Sequence, residues 1–201
     1  MRNWMRERMK RRKKKPENVT EATGKVGQQK PLVDEAHPQP LVPAYDDVEP
    51  EAARLKPSAE SWSILEVVCH LYDEEREDFR EHLDFILSTS PGTGLQRQNE
   101  EWHAIDTQGW VTQRNYNEQS FAERQEKFFV EREQSFAWLK GLRNPDWEKT
   151  YTTPYRTISA GEMFACWVAH DNLHIRQLVE LRRARLENIT KPYNLEYAGD
   201  W

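Results

Sequence analysis

Three capping boxes constrain the fold of this chain more than any other feature of its sequence. In each box a serine stands three residues before a glutamate, at the start of a stretch with apolar residues at helical spacing; the serines are Ser63, Ser120 and Ser159. The serine hydroxyl accepts a hydrogen bond from the third helical N–H, and the glutamate returns a bond to the serine backbone, so the pattern marks where a helix begins. The sequence therefore predicts an all-α protein, most simply a helical bundle.

The boundaries of these helices follow from capping residues at their starts and from loop-forming residues after their ends. Helices are predicted over residues 63–87, 120–141 and 159–186, with a short helical patch over 99–107 and an aromatic loop at 109–110. No alternating stretch is long enough to predict a sheet.

The N-terminal quarter of the chain has a different character. Residues 1–15 hold nine Lys or Arg and one acid, which gives them a net charge of +8. The overall net charge is −5, so residues 16–201 carry a net charge of −13. Frequent prolines follow as far as Pro57 and leave room only for a short helix near 51–55. We predict a disordered basic and Pro-rich arm over residues 1–43 and a bundle domain over 44–201.

The basic arm has two interpretations. It could bind nucleic acid or anionic lipid, with Trp4, Met5 and Met9 on one side of a short helix. A terminal Lys/Arg run followed by polar, Pro-containing sequence is more typical of a disordered tail, so we favour a tail and do not expect nucleic acid among the partners.

The sequence offers no membrane span and no secretory signal, which predicts a cytoplasmic protein. Its two cysteines, Cys69 and Cys166, lack the paired spacing of a zinc or redox motif. We expect both to be reduced and mostly buried.

Chemistry is concentrated on the last predicted helix. Met163, Trp167, His170, His174 and Leu178 recur at spacings of three and four, so they share one inward stripe. Two histidines four residues apart present their rings one turn apart and can take two positions around one metal ion. By itself this motif is weak evidence for a metal site.

A third histidine strengthens the hypothesis. His70 lies near the edge of the apolar face of the helix that follows Ser63, and bundles assemble metal sites from facing helices. Three protein ligands would leave positions open for water or a substrate thiolate. Cys166, one turn before His170, could close the site, but we expect it to line the cavity or to pack.

The segment from Trp62 to the C-terminus resembles the DinB-like (YfiT-related) superfamily of metal-binding four-helix bundles. Residues 62–71, WSILEVVCHL, are similar to the family's W-S-x-x-E-x-x-x-H-L opening, and residues 170–177, HDNLHIRQ, to its late H-D-x-x-H-x-x-Q segment. Residues 114–119, RNYNEQ, and the C-terminal YAGDW are also similar to family sequences.

The resemblance implies that His70, His170 and His174 bind a divalent transition metal, namely zinc, nickel, iron or manganese. It also implies a small-molecule substrate and, in some members, a low-molecular-weight thiol. The family usually has a long helix before the Trp-Ser motif, where this chain is rich in proline. The first helix is therefore expected to be short or degenerate, and a shorter helix, the patch near Trp102 or a partner subunit in a homodimer could complete the bundle.

Several other residues have open roles. A metal-bound imidazole usually donates its other N–H group to a carboxylate or carbonyl oxygen. The candidates for this acceptor role are Asp73, Glu74, Asp171 and Gln177, which could alternatively be parts of a solvated helix face. The remaining histidines are predicted to be ordinary surface or loop residues, and four aromatic residues could wall a pocket or pack in the core. These are His37, His82 and His103, and Trp102, Trp110, Tyr116 and Trp167.

Our leading hypothesis is a metal-dependent enzyme that activates a thiol or water for transfer to a small electrophile. The alternatives are a metal-binding protein without catalysis and a nucleic-acid-associated factor that uses the basic arm.

Overall fold

Helices make up most of the regular structure in residues 48–88, 102, 105–153 and 156–199, which the computed structural model describes. The predicted arm, His37, His103 and the predicted boundary at 43/44 lie outside these residues. The helices are α1 (Pro50–Ala53), α2 (Ile64–Glu74), α3 (Arg80–Ser88), α4 (Thr107–Gln113), α5 (Phe121–Gly141) and α6 (Ala160–Ile189); a π-helical turn (Glu75–Phe79) joins α2 to α3, and 3₁₀ turns cover Tyr116–Glu118 and Glu196–Ala198. The prediction of an all-α protein is confirmed, with α1 as a short helix ahead of α2.

The capping serines begin the three long helical stretches as predicted. The Ser63 and Ser159 side chains each accept a hydrogen bond from the third helical N–H, and the glutamate at that position bonds back to the serine N–H. Ser120 accepts from the Glu123 N–H. The helices end at Ser88, Gly141 and Ile189, within three residues of the predicted positions. None of the helices in the described ranges is both long enough and apolar enough to cross a membrane.

Two local predictions are wrong. The expected loop at Gly109 and Trp110 lies inside α4, because the Asp106 carboxylate caps that helix by accepting from the Gly109 N–H at 2.9 Å. A Cβ on Gly109 would lie 2.1 Å from that carboxylate, so glycine is what lets the cap close. The loop predicted before Ser159 contains an antiparallel hairpin of β1 (Thr150–Thr152) and β2 (Thr157–Ser159). Its strands are too short for periodicity to reveal.

The π-helical turn changes which residue faces α6. In an unbroken α-helix, residues three and four positions after Glu74 would share its face, but the wider turn brings the fifth residue, Phe79, to that place. The Phe79 ring lies 6.0 Å from the Trp167 ring in a parallel stack and 4.9 Å from the His170 ring.

The α2–α3 segment runs antiparallel to α6, because His70 meets His174 while Phe79 meets Trp167 further along. Two apolar clusters pack along this pair. One includes Val67, Leu71 and Leu178, and the other includes Phe79, Leu83 and Trp167. The histidines lie between the two clusters.

The RNYNEQ segment has a structural role at the start of α2. The Arg54 guanidinium donates to the carbonyls of Asn117 and Gln119, while the Asn117 amide donates to the Arg54 carbonyl at 3.1 Å. The Ser63 hydroxyl donates to Asn117 Oδ1 at 2.7 Å. This segment therefore ties α1 to the capped end of α2.

Candidate metal centre

The side chains of His70, His170 and His174 converge on one point between α2 and α6. The Nε2 atom of His70 lies 3.3 Å from that of His170 and 3.1 Å from that of His174, and the last two are 3.0 Å apart. His70 and His174 are buried, while His170 is partly exposed. The pairing of His70 with the two late histidines, which helical spacing could not reveal, is a result of the antiparallel packing.

These separations fit three nitrogens that share a metal ion. With metal–nitrogen distances of about 2.1 Å, nitrogens spaced in this way subtend angles of about 90° to 105° at the ion. Such angles lie between octahedral and tetrahedral values and place the three ligands on one side of the ion. The residues present therefore fit a divalent transition metal.

Gln177 determines which nitrogen of His174 is free. The His174 Nδ1–H donates to Gln177 Oε1 at 2.7 Å, because a carbonyl oxygen can only accept. Its proton is therefore on Nδ1, and the Nε2 lone pair points at the other two histidines. Gln177 thus contacts the nitrogen of His174 that points away from the other two histidines.

Burial keeps two of the imidazoles neutral. It lowers the pKa of His70 well below its ordinary value, and the charges of His174 and His170 lower it further. Burial, with His170 as the next cause, lowers the pKa of His174 to about 3, although its bond to Gln177 acts in the opposite direction. A neutral imidazole is the form that binds a metal.

Two aromatic rings hold the triad in place. The Trp62 ring meets the His70 ring edge-on at 4.8 Å, and the Phe79 ring packs against the His170 ring at 4.9 Å. The sequence indicates Trp62 only as the first residue of the family-like opening motif, and it gives no indication of Phe79. The π-helical turn that places Phe79 has no recognised sequence signal.

Glu74 lies on the inner side of the site. Its Oε2 atom is 2.8 Å from His170 Nε2, and its Oε1 atom is 3.4 Å from His70 Nε2. The carboxylate thus contacts the converging nitrogens and not the outer ones. Burial raises the pKa of Glu74, while the hydrogen bond and charge of His170 lower it.

Asp73 and Asp171 lie in neighbouring networks. Asp73 accepts hydrogen bonds from the Tyr116 hydroxyl and the Arg114 guanidinium, both at 2.6 Å. Asp171 forms a bidentate pair with Arg132, at 2.6 and 2.9 Å. The contacts described for these two carboxylates are therefore with arginine and tyrosine, not with the triad.

The prediction that His82 is a surface or loop residue is wrong. Its ring is buried, its Nδ1 atom lies 2.7 Å from Asp78 Oδ1, and Trp102 stacks on it with a centroid distance of 4.0 Å. It remains separate from the three converging histidines.

The two cysteines differ in exposure. Cys69 is buried as expected, whereas Cys166 is exposed, so the expectation that Cys166 lines the cavity or packs is wrong.

The four predicted aromatic residues mainly pack. Tyr116 is buried, Trp167 is buried and donates to Glu75 at 2.9 Å, Trp110 lies under the Arg114 guanidinium, and Trp102 stacks on His82. The rings that contact the triad directly are those of Trp62 and Phe79.

Comparison with known proteins agrees with this architecture. The family model of the DinB superfamily matches residues 34–178. The structure is similar to that of YfiT from Bacillus subtilis, described as a probable metal-dependent hydrolase with an unusual four-helix bundle topology. The TM-score is 0.58 at 16% sequence identity, and the match covers 71% of this chain and 78% of YfiT. No protein of curated function matches the sequence.

Proposed function

The chain belongs to the DinB superfamily, and we propose that in this member His70, His170 and His174 hold one divalent transition-metal ion, either zinc, nickel, iron or manganese. The observation that carries the proposal is the spacing of three Nε2 atoms at 3.0–3.3 Å from one another. Hydrogen bonds alone cannot satisfy all three contacts, because the Nε2 of a neutral imidazole is either a donor or an acceptor, so at least two of the three are alike.

We further propose that the site is catalytic and acts on a small molecule. A bound ion supplies Lewis acidity, which lowers the pKa of a water or thiol at an open position. Gln177 holds the His174 ring in its metal-binding tautomer, and the Trp62 and Phe79 rings pack against His70 and His170. The description of YfiT as a probable metal-dependent hydrolase supports water as the nucleophile, and a low-molecular-weight thiol is the alternative nucleophile.

A non-catalytic metal-binding protein is the competing candidate. His70 and His174 are only 3% and 4% exposed, and they belong to different helices. An ion between them would join α2 to α6, and a ligand that binds only the folded state stabilises it. The third hypothesis, a nucleic-acid-associated factor, depends on residues outside the described ranges.

Metal analysis tests the triad directly. Protein purified without an affinity tag or added metal is compared with His170→Ala and with His82→Gln, which removes another buried histidine as a matched control. We expect near-equimolar metal in the wild type and in His82→Gln, and a large loss in His170→Ala. Equal metal content in all three proteins would contradict the proposal.

Turnover separates the enzyme from the passive binder. The metal-loaded protein is incubated with ester and amide substrates, and with thiols paired with small electrophiles, before and after removal of the ion. We expect turnover that disappears with the metal and returns on reloading. A fully loaded protein that is inactive across the panel would favour the non-catalytic binder.

The basic arm has its own test. Deletion of residues 1–15 should leave metal content unchanged. If the full chain binds DNA or RNA in a salt-sensitive manner and the deletion removes that binding, the arm is a functional element and not a tail.

We also propose a homodimer. Apolar side chains of Leu55, Leu186 and Ile189 are 64%, 45% and 69% exposed in the described part of the chain. Sedimentation equilibrium should give twice the mass of one chain, and a monomer across the accessible concentration range would exclude the dimer.

A further inference from the structure

Glu74 differs from the other buried carboxylates in the described part of the chain. Five of these six acidic side chains contact a Lys or Arg side chain: Glu66 with Lys56, Asp73 with Arg114, Glu75 and Asp171 with Arg132, and Glu131 with Arg80. Glu74 is only 5% exposed, and the ionisable nitrogens found within 4 Å of it among the described residues belong to His70 and His170.

Glu74 has no Lys or Arg partner among the described residues, although it is almost fully buried. Removing a carboxylate from water is costly unless a positive charge or several hydrogen bonds compensate it. The described partners of Glu74 are the Thr107 hydroxyl, which donates one hydrogen bond, and the imidazoles of His70 and His170. Asp78, one turn further along, adds a like charge nearby. A divalent cation at this point would supply the missing positive charge.

The carboxylate of Glu74 lies beside two of the three converging nitrogens. Its Oε2 atom lies 2.8 Å from His170 Nε2 and its Oε1 atom lies 3.4 Å from His70 Nε2, so each oxygen faces one nitrogen at about the distance that separates the nitrogens from one another, 3.0–3.3 Å. A residue that only oriented an imidazole would instead bond its outer nitrogen, as Gln177 does with His174 Nδ1. Glu74 therefore occupies the position of a donor.

We propose that Glu74 is a fourth protein ligand of the metal centre, beside His70 and His170. This inference rests on the proposed metal site and deepens it. A donor set of three imidazoles and one carboxylate favours a hard or borderline divalent ion over Cu(I), which prefers thiolate and thioether ligands. An ion that accepts six ligands keeps two positions for a substrate or water.

The test compares Glu74→Gln with Glu77→Gln, which neutralises a carboxylate on the same helical segment that pairs with Arg114. Zinc affinity is measured by competition with a chromophoric chelator. Infrared difference spectra are recorded between zinc-loaded and zinc-free protein. We expect Glu74→Gln to weaken zinc binding at least about tenfold. The wild-type spectrum should show shifted carboxylate bands that Glu74→Gln lacks and Glu77→Gln retains.

The outcomes separate this inference from the metal site itself. If wild type and Glu74→Gln bind zinc equally, or if the wild-type spectrum shows no carboxylate shift, the fourth ligand is overturned while the triad stands. If wild type binds none of zinc, nickel, iron and manganese, both are overturned. Urea unfolding of the zinc-free proteins is the control for folding: we expect similar midpoints for Glu74→Gln and wild type, because Gln keeps the size of the side chain, so a loss of folding does not account for weaker binding.

Discussion

In each triad histidine Nε2 points at the other two rings and Nδ1 points away from them. When Nδ1 carries the proton of the neutral ring, the Nε2 lone pair is free to bind a metal. His174 has its Nδ1 atom fixed by Gln177, whereas His70 Nδ1 is buried without a hydrogen-bond partner among the described residues. The triad is therefore unequally supported. His174 is pre-organised by a bond within its own helix, while His70 depends on packing against Trp62.

Removal of the Gln177 amide should weaken metal binding and leave the fold intact. In Gln177→Ala the His174 ring loses the acceptor that fixes its tautomer and orientation, and we expect a loss of about 10- to 100-fold in affinity. Asn172→Ala is the control, because that amide lies on the same helix but is exposed and bonds the Val168 carbonyl. Equal chelator-competition curves for both variants would argue against the orienting role.

A second prediction at this scale concerns Glu77 and pH. Partial burial raises the pKa of Glu77, but the hydrogen bond from Arg114 and the charges of Arg76 and Arg114 outweigh it, so the pKa is lowered. A lowered pKa means that the ion pair adds stability above the ordinary pKa of the carboxyl, 4.5. That contribution is lost as the pH falls through the folded-state value.

Glu77→Gln should therefore be less stable than wild type at pH 7 by no more than about 1 kcal/mol, since the pair is partly exposed. The difference in urea unfolding free energy should shrink as the pH falls below 4.5. A difference that is constant between pH 7 and pH 4 would show that the charge of Glu77 contributes nothing.

At the scale of helices and turns, the capping residue of α2 makes two hydrogen bonds with different structural effects. The Ser63 hydroxyl accepts from the Glu66 N–H and donates to Asn117 Oδ1, so it begins the helix and attaches the RNYNEQ segment to it. The Ser120 hydroxyl caps α5 with a longer bond, 3.4 Å, in an exposed position.

Ser63→Ala should therefore cost more stability than Ser120→Ala. We expect about 2 kcal/mol for Ser63, because the partly buried Asn117 amide oxygen also loses its donor, and less than about 1 kcal/mol for Ser120. Urea unfolding followed by circular dichroism measures both. Equal losses would mean that the bond to Asn117 adds nothing to the cap.

The same elements show what the sequence can predict. Capping boxes are local, so Ser63, Ser120 and Ser159 identified three helix starts correctly. The contribution of Phe79 depends on a π-helical turn, and the cap at Gly109 depends on the space that a missing Cβ leaves; neither has a periodic signal. Spacing placed His170 and His174 on one face, but only antiparallel packing brings His70 to them and turns Glu74 towards their inner nitrogens.

At the scale of the whole molecule, Arg132 joins three segments, two of which adjoin the histidine triad in sequence. From α5 it contacts Asp171 on α6 and Glu75 in the π-helical turn, and Glu75 also accepts from the Trp167 indole. The network anchors α6 one residue after His170 and anchors the π-helical turn one residue after Glu74. Loss of Arg132 would leave two buried carboxylates without their counter-ion.

Arg132→Met should therefore be among the most destabilising single changes in the chain. Breaking a buried ion pair from one side costs about 3–5 kcal/mol, whereas an exposed pair within one helix contributes less than about 0.5 kcal/mol. Lys127→Met, which breaks the exposed pair with Glu123 on the same helix, is the matched control. Urea unfolding of the metal-free proteins should give a much lower midpoint for Arg132→Met than for Lys127→Met.

Because Arg132 holds the segments that carry His170 and Glu74, the same variant should also bind zinc more weakly. Similar midpoints for the two variants would show that α5 does not hold the two sides of the site together through this network.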